Sequence, residues 1–193
     1  MKSNKSLIWT LIALIVIAAL YRIVPGRPWG FAPQIAMALF GGAIIKDKKW
    51  AFALPIFSMF LSDLLYQGLY SAGFISDIYG FYSGQWINYC LFALMVVIGF
   101  AIKKINVLNV LAASLIAPTV FFLLSNFVTW SGLAGMRGLN RPFTFDGLLM
   151  AYADGLPFYK GALMATLFFS TILFGGYYLF TKNSTTAQQA AHA

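Results

Sequence analysis

The sequence predicts an all-α protein, a polytopic membrane bundle of six transmembrane helices, from composition and from the spacing of its apolar runs. Hydrophobic residues make up 61% of the 193-residue chain and charged residues only 9%, whereas a soluble domain is about 25% charged. The mean hydropathy is +0.80. Because a bilayer core of ~30 Å needs about 20 residues of helix, the chain has room for six spans and no separate soluble domain. We expect one bundle domain over residues 1–182 and a polar, disordered cytoplasmic tail over 183–193.

Six apolar runs, each bounded by charged or Gly/Pro-rich sequence, mark the expected helices. In chain order they are Leu7–Val24, Phe31–Ile45, Trp50–Tyr70, Gln85–Ile102, Val107–Val128 and Tyr159–Phe180. The first run has the basic start of a signal peptide, but Ala18-Ala19 is followed by Leu-Tyr-Arg and no small-x-small cleavage site. We therefore expect it to be retained as a helix.

Prolines and glycines predict irregular geometry in three of these helices. The second run is short, carries Pro33 in its first turn and ends in Gly41-Gly42, so we expect it to be tilted or partly broken. Pro55 and Pro118 predict kinks in the third and fifth helices, because proline removes a backbone hydrogen bond.

The connection between the fifth and sixth runs is long and predicts a short amphipathic helix of its own. Thr144 is a suitable N-cap, and Gly155 with Pro157 would end the helix. Its apolar face holds Phe145, Leu148, Leu149 and Tyr152, at spacings of i, i+3, i+4 and i+7. Two interpretations stay open: an interfacial helix lying on the bilayer, or a lid over an outward-facing cavity.

Lysines and arginines predict the orientation. If the N-terminus is cytoplasmic, eight basic residues lie inside and five outside, which favours both termini inside. The inner set is Lys2, Lys5, Lys46, Lys48, Lys49, Lys103, Lys104 and Lys182, and the outer set is Arg22, Arg27, Arg137, Arg141 and Lys160. All four arginines are therefore expected on one side, where their planar groups suit carboxylates and phosphates.

Asp63 is an acidic residue inside an apolar run and needs a partner. A carboxylate at the centre of a spanning helix costs roughly 2.5–3.5 kcal/mol. By helix rise it lies ~21 Å above the cytoplasmic end, level with Arg22 and Arg27. We expect Asp63 to contact one of these guanidinium groups, as a structural pair that orients helices or as the wall of a binding site.

Other polar and aromatic residues concentrate toward the same outer half and predict a pocket there. The candidate binding residues are Arg22, Arg27, Trp29, Gln34, Asp63, Asn88, Asn126, Trp130 and Tyr152. For each residue alone the alternative is structural, since such polar groups often join helices and tryptophans often form the aromatic belt of membrane proteins.

Catalysis, metal binding and nucleic-acid binding find no support in the sequence. The chain has no glutamate, one histidine, His192, in the tail, one cysteine, Cys90, and no P-loop or Ser/His/Asp set. We therefore expect no enzyme activity, no metal site and no cofactor. The net charge of +8 lies at the ends of apolar runs, where it sets topology, so no nucleic-acid partner is expected.

Four stretches carry a resemblance to known proteins: "RIVPGRPWGFAPQIAMALFGGA", "PIFSMFLSDLL", "FFLLSNFVTW" and "GLPFYKGALMATLFFSTILFG". From about Arg22 to Gly175 the chain resembles an uncharacterised bacterial six-helix membrane family. That family in turn resembles the substrate-binding S components of energy-coupling-factor (ECF) transporters in size, helix number and outward polar end.

The resemblance implies a small-molecule binder in the bacterial inner membrane, typically for vitamins or metal ions. It also implies loops that close over the substrate, a separate transmembrane coupling subunit and two ATPases. S components commonly carry an Ala-x-x-x-Ala patch on the first helix, whereas the nearest pattern here is Ala32 and Ala36 on the second.

We interpret the sequence as a substrate-binding membrane subunit that captures a small polar or anionic nutrient at the outer face for uptake, surrounded by the lipid bilayer. The alternative is a scaffold or assembly protein that does not transport and whose polar residues serve only helix packing, and an enzyme acting on lipid comes third. A cavity of ~300 Å³ or more in the outer half would favour the binding protein.

Overall fold

The computed structural model describes residues 3–76, 80–135 and 137–190, which form six helices and no other regular element. The helices are α1 (Ser3–Arg22), α2 (Gln34–Ile44), α3 (Lys48–Ser71), α4 (Gln85–Phe100), α5 (Val107–Ser131) and α6 (Phe145–Ala190). The prediction of an all-α protein with six helices in this order is confirmed.

Three of the six helices are long and apolar enough to cross a membrane: Lys48–Ser71, Val107–Ser131 and the Phe145–Lys182 part of α6. The segments Ile8–Arg22, Gln34–Ile44 and Gln85–Phe100 are apolar but shorter. The structure therefore supports a membrane protein, while the crossing of all six helices stays a prediction.

Polar side chains fix the starts of three helices as capping chemistry requires. The Asp47 carboxylate accepts a hydrogen bond from the Lys49 amide at 2.9 Å, and the Asn106 amide oxygen accepts one from the Asn109 amide at 2.8 Å. Thr144 Oγ1 accepts from the Gly147 amide at 3.1 Å, which confirms the predicted cap. Each cap satisfies a first-turn N–H that has no partner within its own helix.

The short helix α2 lies at the centre of the bundle, where it packs against α3, α4, α5 and α6. Seven of its 11 residues are buried: Gln34, Ile35, Ala36, Met37, Ala38, Leu39 and Gly41. Glycine makes this possible, because a Cβ on Gly42 would collide with the Val96 carbonyl oxygen and one on Gly99 would lie 2.7 Å from the Leu39 carbonyl oxygen. At 11 residues, α2 is about 16 Å long, roughly half the depth of a bilayer core.

The bundle has two chemically different ends. The carboxyl ends of α1, α3 and α5 meet the starts of α2, α4 and α6 at what we call the arginine end, since Arg22, Arg27, Arg137 and Arg141 belong to it. At the opposite, lysine end, the Lys48 ammonium lies 5.7 Å from the centre of the Phe100 ring. The segregation of arginines from the loop lysines follows the alternation predicted from the sequence, while the side that faces the cytoplasm stays a prediction.

The prediction of a separate short helix before the last span is wrong, because α6 is continuous from Phe145 to Ala190. Pro157 removes one backbone hydrogen bond without ending the helix, because α5 holds the chain on both sides of it. The Phe122 ring packs against Tyr152 at 5.6 Å before the proline and stacks on Tyr159 at 4.7 Å after it. The helix ends at Ala190, and residues 191–193 lie outside the described part, so the domain bounds and the disordered tail over 183–193 stay predictions.

Candidate functional site

Asp63 is the centre of a buried polar network at the arginine end. Its side chain is only 2% exposed, and Oδ1 lies 2.5 Å from Nη1 of Arg22. Its other oxygen, Oδ2, accepts hydrogen bonds from Gln85 Nε2 at 2.5 Å and from the Tyr89 hydroxyl at 2.7 Å. The expected contact with a guanidinium is confirmed, and Arg22 is the partner.

Helix packing places these groups around the carboxylate. Arg22 is the last residue of α1, which packs against α3, and Gln85 is the first residue of α4. Tyr89 is one helical turn further along α4 and therefore lies on the same face as Gln85. The Tyr66 hydroxyl donates to the Arg22 carbonyl oxygen at 2.6 Å, which fixes the end of α1 beside α3.

A cavity of about 300 Å³ adjoins this network. Its polar lining consists of Arg22, Arg27, Gln34, Asn88, Ser125, Asn126 and the Tyr159 ring. Its apolar lining consists of Gly30, Ala32, Ile35, Met59, Phe92, Pro118, Phe121, Phe122, Phe158 and Ala162. The volume reaches the lower limit of typical small-molecule sites, and the mixture of apolar walls with a few polar groups is also typical of them.

Two polar groups of this lining are buried without a partner. Gln34 is 1% exposed, and neither its amide oxygen nor its amide nitrogen has a hydrogen-bond partner. Arg27 donates from Nη1 to the Phe31 carbonyl oxygen at 2.6 Å, but its Nε is buried and unpartnered. A buried polar group left unpaired costs about 1–3 kcal/mol, so such groups call for an explanation.

The start of α2 also faces this space. Gln34 is its first residue and no side chain caps it, since the preceding residue is Pro33. The first N–H groups of a helix have no acceptor within the helix, and the helix dipole places about half a positive charge there. Gln34 and Ile35, from this first turn, both line the cavity.

The charges around the cavity do not balance. Within the described part of the chain there are two ion pairs, Arg22 with Asp63 and Arg141 with Asp154. The second pair lies outside the cavity lining, and there the hydrogen bond to Asp154 raises the pKa of the Arg141 guanidinium. Arg27 therefore contributes a positive charge that no carboxylate of the described residues neutralises.

The structure brings five of the nine predicted binding residues together around the cavity: Arg22, Arg27, Gln34, Asn88 and Asn126. Asp63 is outside the lining and accepts a hydrogen bond from Arg22, which is part of it. Trp29 stacks on Phe158 at 5.3 Å and is 66% exposed, so it covers a wall of the cavity from outside.

Trp130 and Tyr152 make contacts elsewhere. The Trp130 indole donates to the Pro142 carbonyl oxygen at 2.8 Å, and the Tyr152 hydroxyl donates to the Leu123 carbonyl oxygen at 3.3 Å. These bonds tie α5 to the loop before α6 and to α6 itself, and neither residue is part of the lining.

Sequence reasoning missed Gln85, Tyr89 and the aromatic wall. Gln85 directly follows Gly84 at the start of an apolar run, and Tyr89 stands four residues later. This i, i+4 spacing indicates that the two side chains share one face of a helix. Phe92, Phe121, Phe122 and Phe158 carried no signal, because phenylalanines in a membrane helix face lipid, core or cavity with the same sequence pattern. Among the described residues, no three side chains of His, Cys, Asp and Glu form a group that could hold a metal ion.

Long apolar helices around a buried charged network define a helical membrane protein. The chain belongs to a family of unknown function, DUF6580, whose model matches residues 2–189. No curated protein and no solved structure matches the chain.

Proposed function

We propose that this membrane protein binds a small polar or anionic molecule in the cavity at its arginine end and does not catalyse a reaction. One observation carries the proposal. Among the described residues, no carboxylate pairs with Arg27 and the Gln34 side chain makes no hydrogen bond, and both residues line about 300 Å³ of space. A protein that used its polar residues only for helix packing would be expected to pair them with one another.

The wider proposal is capture of a nutrient at the outer face of a bacterial inner membrane, with both termini in the cytoplasm. Two points support it: Arg22 and Arg27 line the cavity, and the distribution of lysines and arginines along the sequence predicts that the arginines lie outside. Uptake through a transmembrane coupling subunit and ATPases comes from the resemblance to S components, and co-purification of such subunits from the host membrane would test it.

Native mass spectrometry of the detergent-purified protein tests the binding function directly. We expect a retained small molecule in the wild type and its loss from Ala162→Phe, because Ala162 lines the cavity and the larger ring fills it. The matched control is Met164→Phe, two residues along the same helix, where the side chain is 63% exposed.

Retention by the wild type and by Met164→Phe but not by Ala162→Phe would support the proposal. Equal retention by all three would show that the molecule binds elsewhere. Absence of any retained molecule, together with a marked loss of stability in Ala162→Phe, would show a filled core and favour the scaffold alternative.

A further inference from the structure

The cavity lining combines positive charge with a large apolar surface. Arg27 and the first residues of the uncapped helix α2 are part of it, and so is Gln34 with its two unpartnered amide atoms. The apolar surface includes Phe92, Phe121, Phe122 and Phe158 with Pro118. On the basis of the proposed binding function, the charges and hydrogen-bonding groups of this lining indicate the chemical class of the ligand.

Charge balance sets the net charge of the ligand. Among the described residues Arg22 is neutralised by Asp63 at 2.5 Å, whereas Arg27 and the dipole of α2 have no balancing carboxylate. One negative charge balances the Arg27 guanidinium, whereas a dianion would leave a buried negative charge without a partner. A carboxylate fits best, because its two oxygens can accept both from a guanidinium and from first-turn amides.

Gln34 sets the polar pattern of the ligand. An amide side chain offers one acceptor oxygen and a nitrogen with two donor hydrogens, both bonded to the same carbon. Both atoms are satisfied together by a ligand edge that carries a donor beside an acceptor, as an amide or lactam does. The aromatic walls favour a flat ring, and about 300 Å³ equals roughly ten water volumes of 30 Å³, the size of a ligand with one or two rings.

We propose that the cavity binds a flat monocarboxylate whose carboxylate lies between Arg27 and the start of α2 and whose amide-like edge pairs with Gln34. Arg22 serves as a positioning residue that Asp63 holds in the wall. The ligand class is therefore an aromatic or lactam-containing monoanion, distinct from a phosphate, a sugar or a metal ion.

Binding of four probes to the detergent-purified full chain, measured by isothermal titration calorimetry, tests this class. The probes are carbostyril carboxylate, which has a lactam and one carboxylate, its methyl ester, naphthoate, which lacks the lactam, and naphthyl phosphate, which is a dianion. We expect carbostyril carboxylate to bind about tenfold to a hundredfold more tightly than the ester. We also expect it to bind more tightly than naphthoate and naphthyl phosphate.

Substitutions at Arg27 and Gln34 test the contacts that each is proposed to make with the ligand. Arg27→Gln should remove the preference for the acid over the ester, while Arg137→Gln, which changes an arginine outside the lining, should keep it. Gln34→Leu should weaken carbostyril carboxylate about tenfold and leave naphthoate unchanged. In the ligand-free protein Gln34→Leu should raise the melting temperature, because it removes a buried amide without partners, whereas a structural role for Gln34 would lower it.

The proposal fails if the ester or naphthyl phosphate binds as tightly as the carboxylates, or if no carboxylate binds. A neutral or dianionic molecule retained in native mass spectrometry would overturn the ligand class and leave the binding function standing. No retained molecule and no probe binding would overturn both.

Discussion

Asp63 is a buried carboxylate that three side chains of the described residues share as a hydrogen-bond acceptor. It accepts from Arg22, Gln85 and Tyr89, which come from α1 and α4, so one carboxylate joins three helices. A carboxylate with three donors is well compensated for the loss of water. The network therefore gives the arginine end a fixed arrangement on which the neighbouring cavity depends.

Breaking the ion pair between Asp63 and Arg22 should lower stability, and changing both residues together should restore much of it. Asp63→Asn and Arg22→Gln should each lower the free energy of unfolding by about 3–5 kcal/mol, because each leaves the other charge buried and uncompensated. The double variant should recover much of the loss, which denaturation in detergent would measure. Combining Asp63→Asn with Arg27→Gln is the control and should give additive losses, since Arg27 bonds to the Phe31 carbonyl oxygen instead.

Additive losses in the Asp63→Asn and Arg22→Gln double variant would contradict this prediction. If stability returns in that double variant but ligand retention does not, the pair belongs to the binding site. If both return, the pair is structural.

The ion pair between Arg141 and Asp154 should behave differently. Its side chains are 35% and 30% exposed, and exposed pairs contribute little because water and salt screen them. Arg141→Gln should therefore lower the melting temperature much less than Asp63→Asn, and the difference from wild type should shrink as salt is added. A loss as large as that of Asp63→Asn would show that this loop is more tightly coupled to the bundle than its exposure indicates.

At the scale of helices, α2 is mostly buried and packs closely against α4. Its contact with α4 depends on Gly42 and Gly99, whose hydrogens leave room for the facing backbone. The small-residue spacing of Ala38 and Gly42 predicts such a close approach in membrane helices. Its first turn has no side-chain cap, and Gln34 and Ile35 from this turn line the cavity.

Adding one methyl group at this contact should separate α2 from α4. In Gly42→Ala the new Cβ would collide with the Val96 carbonyl oxygen and lie 2.9 Å from the Gly99 backbone. We expect a loss of about 1–3 kcal/mol in unfolding free energy, as for other overpacked cores. The control is Gly175→Ala on α6, where the added Cβ meets no atom within 4 Å. This substitution should raise stability by about 0.5–1 kcal/mol. Equal effects of the two substitutions would contradict the packing described here.

At the scale of the whole molecule, the two ends of the bundle differ in their basic side chains. The loop lysines lie at the end opposite the arginines and the cavity. A cluster of arginines suits recognition of an anion, whereas lysines flanking apolar helices suit the cytoplasmic face of a membrane. The proposed direction of capture depends on this orientation.

Reporter fusions test the orientation. A reporter that is active only in the cytoplasm should give a signal after Lys48 or Lys104 and none near Gly73 or Gly138, because alternate loops lie on alternate sides. The reverse pattern would place the cavity on the cytoplasmic face and overturn the proposal of outward capture while leaving the ligand class open to binding tests.

The sequence by itself determined the membrane class, the order of the six helices, the Thr144 cap and the need of Asp63 for a guanidinium. These follow from quantities that are local to a segment: its apolar length, its capping residue and the cost of one buried charge. The tertiary structure decided that Arg22 and not Arg27 is the partner. It also decided that α6 continues past Pro157 and that α2 is the central helix. Neighbouring helices settle these points, because the rotation and depth at which helices pack determine which side chains meet, and no single segment encodes them.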